Sequence, residues 1–185
     1  TLGKVFTTCS VASILELGIG FNNELSGREN AYRFGRYNSL SRNKAKDNIG
    51  FIEDFADIGD FFNQPIKYYS SGMFARLAFA SALSLKAGLL LIDEILAVGD
   101  VLFQYKCFNY LNNHYLKNPQ RAVIYVGHNT QLCRQLCTHG IVLDKGKCIY
   151  QGDINSAIDK YQHLISVFSN KENEVKGGGN TSNAS

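Results

Sequence analysis

The stretch Leu89-Leu90-Leu91-Ile92-Asp93-Glu94 places two adjacent carboxylates directly after four large apolar residues. A short apolar run of this kind is typical of a strand buried in a parallel sheet. The carboxyl ends of such strands form the edge at which open α/β sheets bind their ligands. The stretch therefore predicts an α/β fold with Asp93 and Glu94 at a ligand-binding edge, although a solvated Asp-Glu turn would use the same residues.

Two more apolar runs follow this stretch, separated from it and from each other by helical sequence. They are Ala122 to Val126 and Ile141 to Leu143. Alternating strands and helices predict βαβ units and a mainly parallel sheet. Asp144-Lys145-Gly146-Lys147 is turn sequence, and a further apolar run follows at 148–150. The sheet is therefore predicted to end in an antiparallel hairpin.

The sequence upstream of the stretch predicts a strand and then a mostly helical insert. Residues 4–17 are rich in β-branched and small apolar types, which predicts a strand that runs into a loop at 16–20. Ser26 and Glu29 have the spacing of a capping box, so a helix is expected directly after Ser26. Apolar residues then recur at helical intervals. We predict a helical subdomain over about 26–85.

The end of the chain changes in composition. Asp153 can cap a closing helix, which we expect to reach about Val167. Asn, Gly, Ser, Lys and Glu dominate after that, with a glycine run at 177–179. This composition is typical of linkers. We therefore predict one domain over 1–168 and a flexible tail or linker over 169–185.

Length and composition fit a globular domain. The chain has 185 residues, of which 45% are apolar and 12% aromatic, enough to fill a core. The net charge of +3 comes from 19 basic and 16 acidic residues scattered along the chain, so charge gives no argument for a nucleic-acid partner. No apolar run approaches the ~20 residues of a membrane span, and no secretion signal is visible.

The five cysteines have no framework spacing, which is typical of reduced thiols in a cytosolic protein. Cys133, Cys137 and His139 allow a zinc interpretation. The two cysteines lie one turn apart on an amphipathic helix, however, and a four-ligand set is not visible. Small buried thiols are common in cores. We therefore favour core cysteines over zinc ligands.

A turn of small residues, Tyr69-Ser70-Ser71-Gly72-Met73, leads into an apolar helix at 74–80. Exposed amides at such a helix start, with its partial positive charge, favour a phosphate. Ser70 can add a hydroxyl donor, and Gly72 lets a ligand approach the backbone closely. An ordinary N-cap at Ser70 or Ser71 explains the same residues.

The apolar run 123–126 is followed by Gly127 and His128. An imidazole at a strand end could hydrogen-bond a terminal phosphate, but a lone histidine there is more often structural than catalytic. The order and spacing of these motifs along the chain are more informative about function than any one motif alone. The helix-start turn lies about twenty residues before Asp93, and His128 lies about thirty residues after Glu94, with an Ala97-Val98-Gly99-Asp100 segment between.

These segments together resemble the ATP-binding subunits of ABC transporters. The matches are the signature motif at 69–73, the Walker B strand at 89–94, the D-loop at 96–100 and the switch histidine at His128. Together with Gly20-Phe21-Asn22-Asn23-Glu24-Leu25-Ser26-Gly27-Arg28-Glu29-Asn30, they resemble the ATPases of O-antigen, teichoic acid and capsule-type exporters. The resemblance covers about residues 3–167.

The resemblance implies a P-loop NTPase-like ABC ATPase fold with ATP and Mg²⁺ as cofactors. It also implies a head-to-tail homodimer, in which the signature turn of one subunit contacts the γ-phosphate held by the other. The implied roles are base for Glu94, γ-phosphate contact for His128, nucleotide contact in trans for Ser70, Ser71 and Gly72, a bridge between subunits for Asp100, and Mg²⁺ binding through water for Asp93. A transmembrane permease would be the partner, at the cytoplasmic face of the membrane, and a glycan would be moved only indirectly.

The sequence departs from this family in two respects. The G-x-x-x-x-G-K-[ST] phosphate loop is absent from the 185 residues, and Gly3-Lys4 is no remnant because Val5 follows the lysine. Family spacing places the loop before residue 1, so we expect an N-terminally truncated reading of a longer protein, inactive alone. Most ABC ATPases also carry a Mg²⁺-linked glutamine near 16–18, where Glu16 is the nearest polar candidate.

The sequence thus predicts an ATPase that powers export of a polysaccharide or lipid-linked glycan. Two alternatives stay open. One is a soluble ABC-type ATPase that acts on nucleic acid or ribosomes, although such proteins usually carry two cassettes or a long coiled-coil insertion. The other is a catalytically inactive ABC module.

Overall fold

The computed structural model describes residues 2–14, 18–94 and 99–177, with side chains in the last helix described up to Val167. The chain divides into two compact units, Thr1–His128 and Asn129–Ser185, which are described separately here. Among the helices of these ranges, none combines the length and apolar composition that a membrane span requires. The single domain over 1–168 stays a prediction.

A three-stranded parallel sheet forms the centre of the first unit. Its strands are β1 (Val11–Ile14), β2 (Leu89–Asp93) and β3 (Ala122–Val126), with β2 in the middle. Leu90 and Ile92 of β2 are fully buried. The predicted buried strand and the predicted parallel sheet are therefore confirmed.

The two faces of this sheet differ in burial. Along β2 the residues alternate between buried and half-buried, rather than being buried throughout. On β3, Ile124 and Val126 are more than half exposed. Parallel sheets in complete domains are covered on both faces. The described residues therefore cover one face of this sheet well and leave much of the other open.

Strand β1 is shorter than the strand predicted over 4–17. Its register with β2 begins at Val11, which lies opposite Leu89, the first residue of β2. Residues before Val11 have no neighbouring strand to pair with, and β-branched composition does not make a strand without such a partner. The prediction of Glu16 as a metal ligand lies outside the described residues.

The predicted helical subdomain is helical in the structure. Its three α-helices pack against one another. The helices are α1 (Gly27–Tyr37), α2 (Arg42–Ala56) and α3 (Ser71–Ser84), with short 3-10 turns at Gly59–Asn63 and Ile66–Tyr68 between α2 and α3.

The predicted capping box at the start of α1 is confirmed. The amide of Glu29 donates to the Ser26 hydroxyl at 3.2 Å, and the Ser26 amide donates to the Glu29 carboxylate at 2.8 Å. The Ser26 hydroxyl also donates to the Glu29 carboxylate, at 2.7 Å, and this bond, followed by that of the Ser26 amide, lowers the pKa of Glu29. The amides of Ser26 and Glu29, which would have no backbone partner at a helix start, are thus both hydrogen-bonded to side chains.

Asn30 organises the turn that precedes α1, a role that the sequence analysis did not assign. Its side chain is fully buried. The Asn30 amide nitrogen lies within 3.0 Å of the carbonyl oxygens of Asn22, Leu25 and Ser26. Its oxygen accepts the Asn22 amide at 2.7 Å. One amide side chain therefore holds both ends of the turn against the helix.

Helix α4 (Val101–Leu111) continues into a π-helical turn at Asn112–Leu116. Its buried face presents Phe103 and Cys107. Burial raises the pKa of the Cys107 thiol to about 12. Phe55 of α2 contacts the ring of Phe103 edge to face, at 5.8 Å between centroids, so α4 packs on the helical subdomain through aromatic rings.

The second unit begins with α5 (Thr130–Leu136), followed by a hairpin. Strands β4 (His139–Asp144) and β5 (Lys147–Asp153) pair antiparallel. The two turn residues, Lys145 and Gly146, have φ of 47° and 78°. Positive φ at both positions is the requirement of a type I′ turn, the turn that matches the twist of paired strands. The predicted hairpin is confirmed.

Helix α6 (Ile154–Gly177) closes the second unit. The Asp153 carboxylate accepts the amides of Asn155 and Ser156, which confirms the predicted cap. The helix continues past the predicted end near Val167. That prediction relied on composition, but no glycine or proline interrupts the sequence before Gly177. The tail or linker over 169–185 stays a prediction.

Asn30→Ala tests the turn before α1. It leaves several buried backbone groups without partners, so we expect the free energy of unfolding to fall by about 2–4 kcal/mol. The control is Asn38→Ala, which removes one exposed bond to the Phe34 carbonyl and should cost less than about 0.5 kcal/mol. Urea unfolding followed by circular dichroism measures both. Equal losses would contradict the organising role of Asn30.

Candidate functional site

The parallel pairing of β2 with β3 brings Glu94 and His128 together. Asp93 lies opposite Val126 in the register, and the Glu94 amide donates to the Val126 carbonyl at 2.8 Å. Oε1 of Glu94 lies 2.8 Å from Nδ1 of His128. The Glu94 side chain is 56% exposed and that of His128 is 76% exposed. The two residues predicted as catalytic therefore form a pair that solvent can reach.

Glu94 has an unusual backbone conformation. Its φ is 51°, in the left-handed region that residues with a side chain adopt at a cost of roughly 1–2 kcal/mol. The hydrogen bond to Val126 holds this conformation at the end of β2. Backbone strain of this kind concentrates at functional sites in proteins. The conformation fixes the direction in which the chain leaves β2 at Glu94.

The protonation of His128 follows from its partner. An ionised carboxylate can only accept hydrogen bonds, so Nδ1 of His128 carries the proton that is donated to Glu94. In the neutral ring Nε2 then has a lone pair and accepts. In the doubly protonated ring Nε2 donates as well. His128 can therefore donate to a phosphate while paired with Glu94 only as an imidazolium.

Asp93 is half-buried at the end of β2. Within the described part of the chain, its carboxylate forms no hydrogen bond or ion pair. A carboxylate without a protein partner at the ligand edge of a sheet suits a hard cation such as Mg²⁺, which keeps several waters when it binds proteins. Asp93 therefore fits the role of a Mg²⁺ ligand through water.

In the ranges that the structure describes, no three His, Cys, Asp or Glu side chains are grouped closely enough to hold a metal ion without other ligands. That includes the zinc interpretation of Cys133, Cys137 and His139. Burial raises the pKa of both Cys133 and Cys137, which disfavours the thiolate that a metal requires.

Ser70 is the N-cap of α3, and its hydroxyl accepts the Met73 amide at 3.2 Å. The structural interpretation of Ser70 is therefore confirmed. Ser71 is the first residue of the helix and is exposed. Among the described residues, its hydroxyl has no hydrogen-bond partner. Contact of either serine with a phosphate stays a prediction.

The residues predicted to contact a nucleotide lie on one open cleft in the first unit. The cleft has a volume of about 790 Å³, and its lining includes Ser70, Ser71, Gly72 and Asp100. A Cβ added to Gly72 would meet only the Ser70 hydroxyl, at 3.9 Å. The backbone at Gly72 therefore borders open space, as close approach of a ligand requires.

Asp100 is the N-cap of α4, and its Oδ1 accepts the Phe103 amide at 2.9 Å. Its other oxygen forms an ion pair with Arg76 of α3. The Phe103 amide and, after it, Arg76 hold the pKa of Asp100 below its usual value. Arg76 was not predicted as a site residue, although a cation in the apolar helix after the small-residue turn is a visible signal in the sequence.

Tyr69 links the turn before α3 to the start of α1. Its hydroxyl donates to the Phe61 carbonyl at 2.7 Å, and burial raises its pKa to about 12. A Cβ added to Gly27 would lie 2.2 Å from the Tyr69 hydroxyl. Only glycine fits at position 27, so the Ser26-Gly27 motif and the turn at 69–73 are packed together.

Sequence comparison finds relatives that cover most of the chain. It is 39% identical over 165 residues to the ABC transporter protein AbcA of Aeromonas salmonicida. It is 35% identical over 166 residues to the O-antigen export system ATP-binding protein RfbB of Klebsiella pneumoniae, and 36% identical over 157 residues to the teichoic acids export ATP-binding protein TagH of Bacillus cereus. These matches cover 89%, 90% and 85% of the chain.

The chain is shorter than these relatives. It spans 53% of AbcA, 67% of RfbB and 28% of TagH. No protein-family model matches it.

Two solved structures share the fold. The ATP-binding subunit of an ABC transporter has a TM-score of 0.70 at 17% identity, over 83% of this chain and 62% of that one. An ATP-binding cassette in a dimeric post-hydrolysis state, bound to ADP and Pi, has a TM-score of 0.61 at 18% identity, over 78% of this chain and 63% of that one. Together these likenesses confirm the predicted ABC ATPase fold.

Ser70→Ala and Ser71→Ala separate the two serines at the start of α3. Loss of the Ser70 cap should lower the free energy of unfolding by about 1 kcal/mol. Ser71→Ala should change it by less than about 0.5 kcal/mol, because no described bond is lost and alanine favours the helix. Thermal and urea unfolding measure both variants. An equal loss in the two would contradict the assignment of Ser70 as the cap.

Proposed function

The chain belongs to the family of ABC-transporter ATP-binding proteins that includes the O-antigen and teichoic acid export proteins, and we propose that the complete protein hydrolyses ATP to power export of a polysaccharide or lipid-linked glycan. The pair of Glu94 and His128 beside Asp93, at the carboxyl edge of the sheet, is the observation that supports the activity most directly. The names of the relatives support the glycan class.

In this proposal Glu94 is the general base. Its carboxylate is exposed, paired with His128, and carried by a left-handed backbone at the strand end. It accepts a proton from the water that attacks the terminal phosphate. His128 donates from Nδ1 to Glu94 and orients that carboxylate. Nε2 of His128 would donate to a phosphate oxygen when the ring is doubly protonated, with the second proton taken up from solvent at Nε2 while Nδ1 keeps the proton that it donates to Glu94.

Asp93 would hold Mg²⁺ through water, and the ion would supply charge that offsets the developing negative charge on the phosphates. The phosphate loop that binds the β- and γ-phosphates in this family is not among the 185 residues. The greater length of the relatives supports its presence elsewhere in the complete protein.

We propose that the nucleotide bound by the other subunit contacts the cleft lined by Ser70, Ser71, Gly72 and Asp100. The amides at the start of α3 carry the partial positive charge of a helix N-terminus, which favours an anion. In a head-to-tail homodimer this turn would face the γ-phosphate bound by the other subunit. The dimeric state of one structural neighbour agrees with that arrangement for its own chain.

The helical subdomain would transmit closure of the dimer to a transmembrane permease. The ATP-binding subunit would accordingly act as a peripheral protein on the cytoplasmic face of the membrane. The glycan would then be handled by the permease or by another domain, and contact this chain only indirectly.

Glu94→Gln in the complete protein tests the proposed base. We expect ATP turnover to fall by roughly 10²–10⁴-fold, because the amide has the shape of the carboxylate but cannot accept the proton. Binding of Mg-ATP should remain. Phosphate release and a fluorescent-nucleotide titration measure the two quantities.

Glu24→Gln is the matched control, since Glu24 is an exposed carboxylate paired with Lys67 away from the sheet edge. It should leave turnover unchanged. Wild-type turnover in Glu94→Gln would remove Glu94 from the mechanism.

Ser70→Arg tests the contact in trans. The long side chain would fill the space in the cleft that the opposite γ-phosphate needs, so ATP-dependent dimerisation should be lost in a Glu94→Gln background while a monomer still binds ATP. Sterics must outweigh the attraction of the added positive charge for phosphate. Light scattering with and without Mg-ATP measures the dimer.

Ser41→Arg is the control for this variant. Ser41 caps α2 through the Lys44 amide in the same way, and it is not among the residues that line the cleft. Each variant loses one cap, worth about 1 kcal/mol, so both should show a similar drop in melting temperature. Dimerisation that is equal in both variants would contradict the role of the turn in trans.

A further inference from the structure

Arg76 joins α3 to the end of α2 and to the start of α4. Its Nη1 donates to the carbonyl oxygens of Ala56 and Asp57, at 3.4 and 3.2 Å, where α2 ends. Its Nη2 pairs with the carboxylate of Asp100, where α4 begins. The guanidinium also lies over the ring of Phe103, 4.9 Å from the centroid.

The chemistry of arginine suits this position. The last carbonyls of a helix have no partner within the helix and attract a cation. A planar guanidinium carries five donors in fixed directions, so it can reach two carbonyls and a carboxylate at once while its face rests on an aromatic ring. The Arg76 side chain is only 18% exposed, which shields these interactions from water. A lysine at this position has one donor centre and could not make all of these contacts.

The contacts of Asp100 show what Arg76 determines. One oxygen of the Asp100 carboxylate caps α4 through the Phe103 amide, and the other faces Arg76. The orientation of the carboxylate therefore depends on both partners. Since its charge is already paired with Asp100, Arg76 is poorly placed to serve as a phosphate ligand itself.

Arg76 also lies at the wall of the cleft that holds the turn at 70–72. The lining also includes Asp57 to Gly59 and Asp100. Each of these segments is either bonded to Arg76 or belongs to the same helix as Arg76. Arg76 therefore joins the three lining segments through its own polar contacts.

We propose that Arg76 is a positioning residue, which holds the start of α3 and Asp100 in the arrangement that a second copy of the subunit, with its bound nucleotide, meets on dimerisation. This inference rests on the proposed function. Arg76 acts through the residues that it holds, so its loss changes the affinity between subunits and leaves nucleotide binding within one subunit intact.

Variants of the complete protein in the Glu94→Gln background test this role. Arg76→Gln should weaken ATP-dependent dimerisation by about tenfold or more, as expected when a coupled contact network is lost. The affinity of the monomer for Mg-ATP should stay within about twofold of the parent. Sedimentation at saturating Mg-ATP gives the dimer dissociation constant, and a nucleotide titration at low protein concentration gives the monomer affinity.

Lys106→Gln is the matched control. Lys106 also donates to a helix carbonyl, that of Asp54 at 2.9 Å, and lies 5.0 Å from the centroid of the Phe55 ring. It is not among the residues that line the cleft. Its loss should lower the melting temperature and leave dimerisation unchanged. If Arg76→Gln behaves in the same way, Arg76 is only structural and the inference is overturned.

Asp100→Asn keeps the inference testable if Arg76→Gln folds poorly. Asparagine retains the oxygen that caps α4 and loses the charge that Arg76 pairs with. It should weaken the dimer, and the double variant should be no weaker than Arg76→Gln alone, since both changes break one interaction. Additive effects would contradict the pairing.

A Glu94→Gln parent that never dimerises with ATP would overturn the proposed function and this inference together. A parent that dimerises, alongside variants that dimerise equally well, would overturn the inference alone.

Discussion

The parallel pairing between β2 and β3 is the constraint on which the candidate site depends. Parallel strands end at the same edge, so whatever follows Ile92 must lie beside whatever follows Tyr125. The ladder even continues one step past the strand, through the bond from the Glu94 amide to Val126. A carboxylate and an imidazole that are far apart in the chain meet there as a consequence of register. The chemistry proposed for this edge needs no further device to bring the two groups into contact.

Side-chain caps at the starts of helices recur in the segments that form the candidate site. Ser26, Ser70 and Asp100 each cap a helix with a side chain, and each lies in a segment that the functional reading singled out. A cap fixes the direction in which the chain enters a helix and leaves other amides of the first turn available. Asn30 and Arg76 then tie these entry points to the preceding turn and to neighbouring helices. Among these residues, Ser70, Arg76 and Asp100 line the cleft, so polar contacts at helix ends contribute to its walls.

Local features of the sequence predicted local features of the structure well. The capping box at Ser26, the type I′ hairpin and the cap at Asp153 each involve residues within a few positions of one another. The length of β1 could not be predicted in this way, since it depends on where a strand far along the chain begins. Arg76 was missed for the same reason, because its partners lie on two other helices. The roles of the site residues depended on the order of motifs, and the pairing of Glu94 with His128 agrees with that order.

Ser70 is a helix cap in the structure, and the proposed phosphate contact would add a second constraint on the residues that can replace it. As a cap, position 70 accepts serine, threonine, asparagine or aspartate almost equally. As a wall of a cleft that receives phosphate, it would reject the aspartate, whose negative charge repels an anion at close range. A substitution at this position must therefore retain the ability to cap the helix, and it must also carry no negative charge if phosphate binds there. A homologue with aspartate at this position would keep the helix cap and lose the proposed phosphate contact. The residue at this position would thus mark relatives that have kept the fold without that contact.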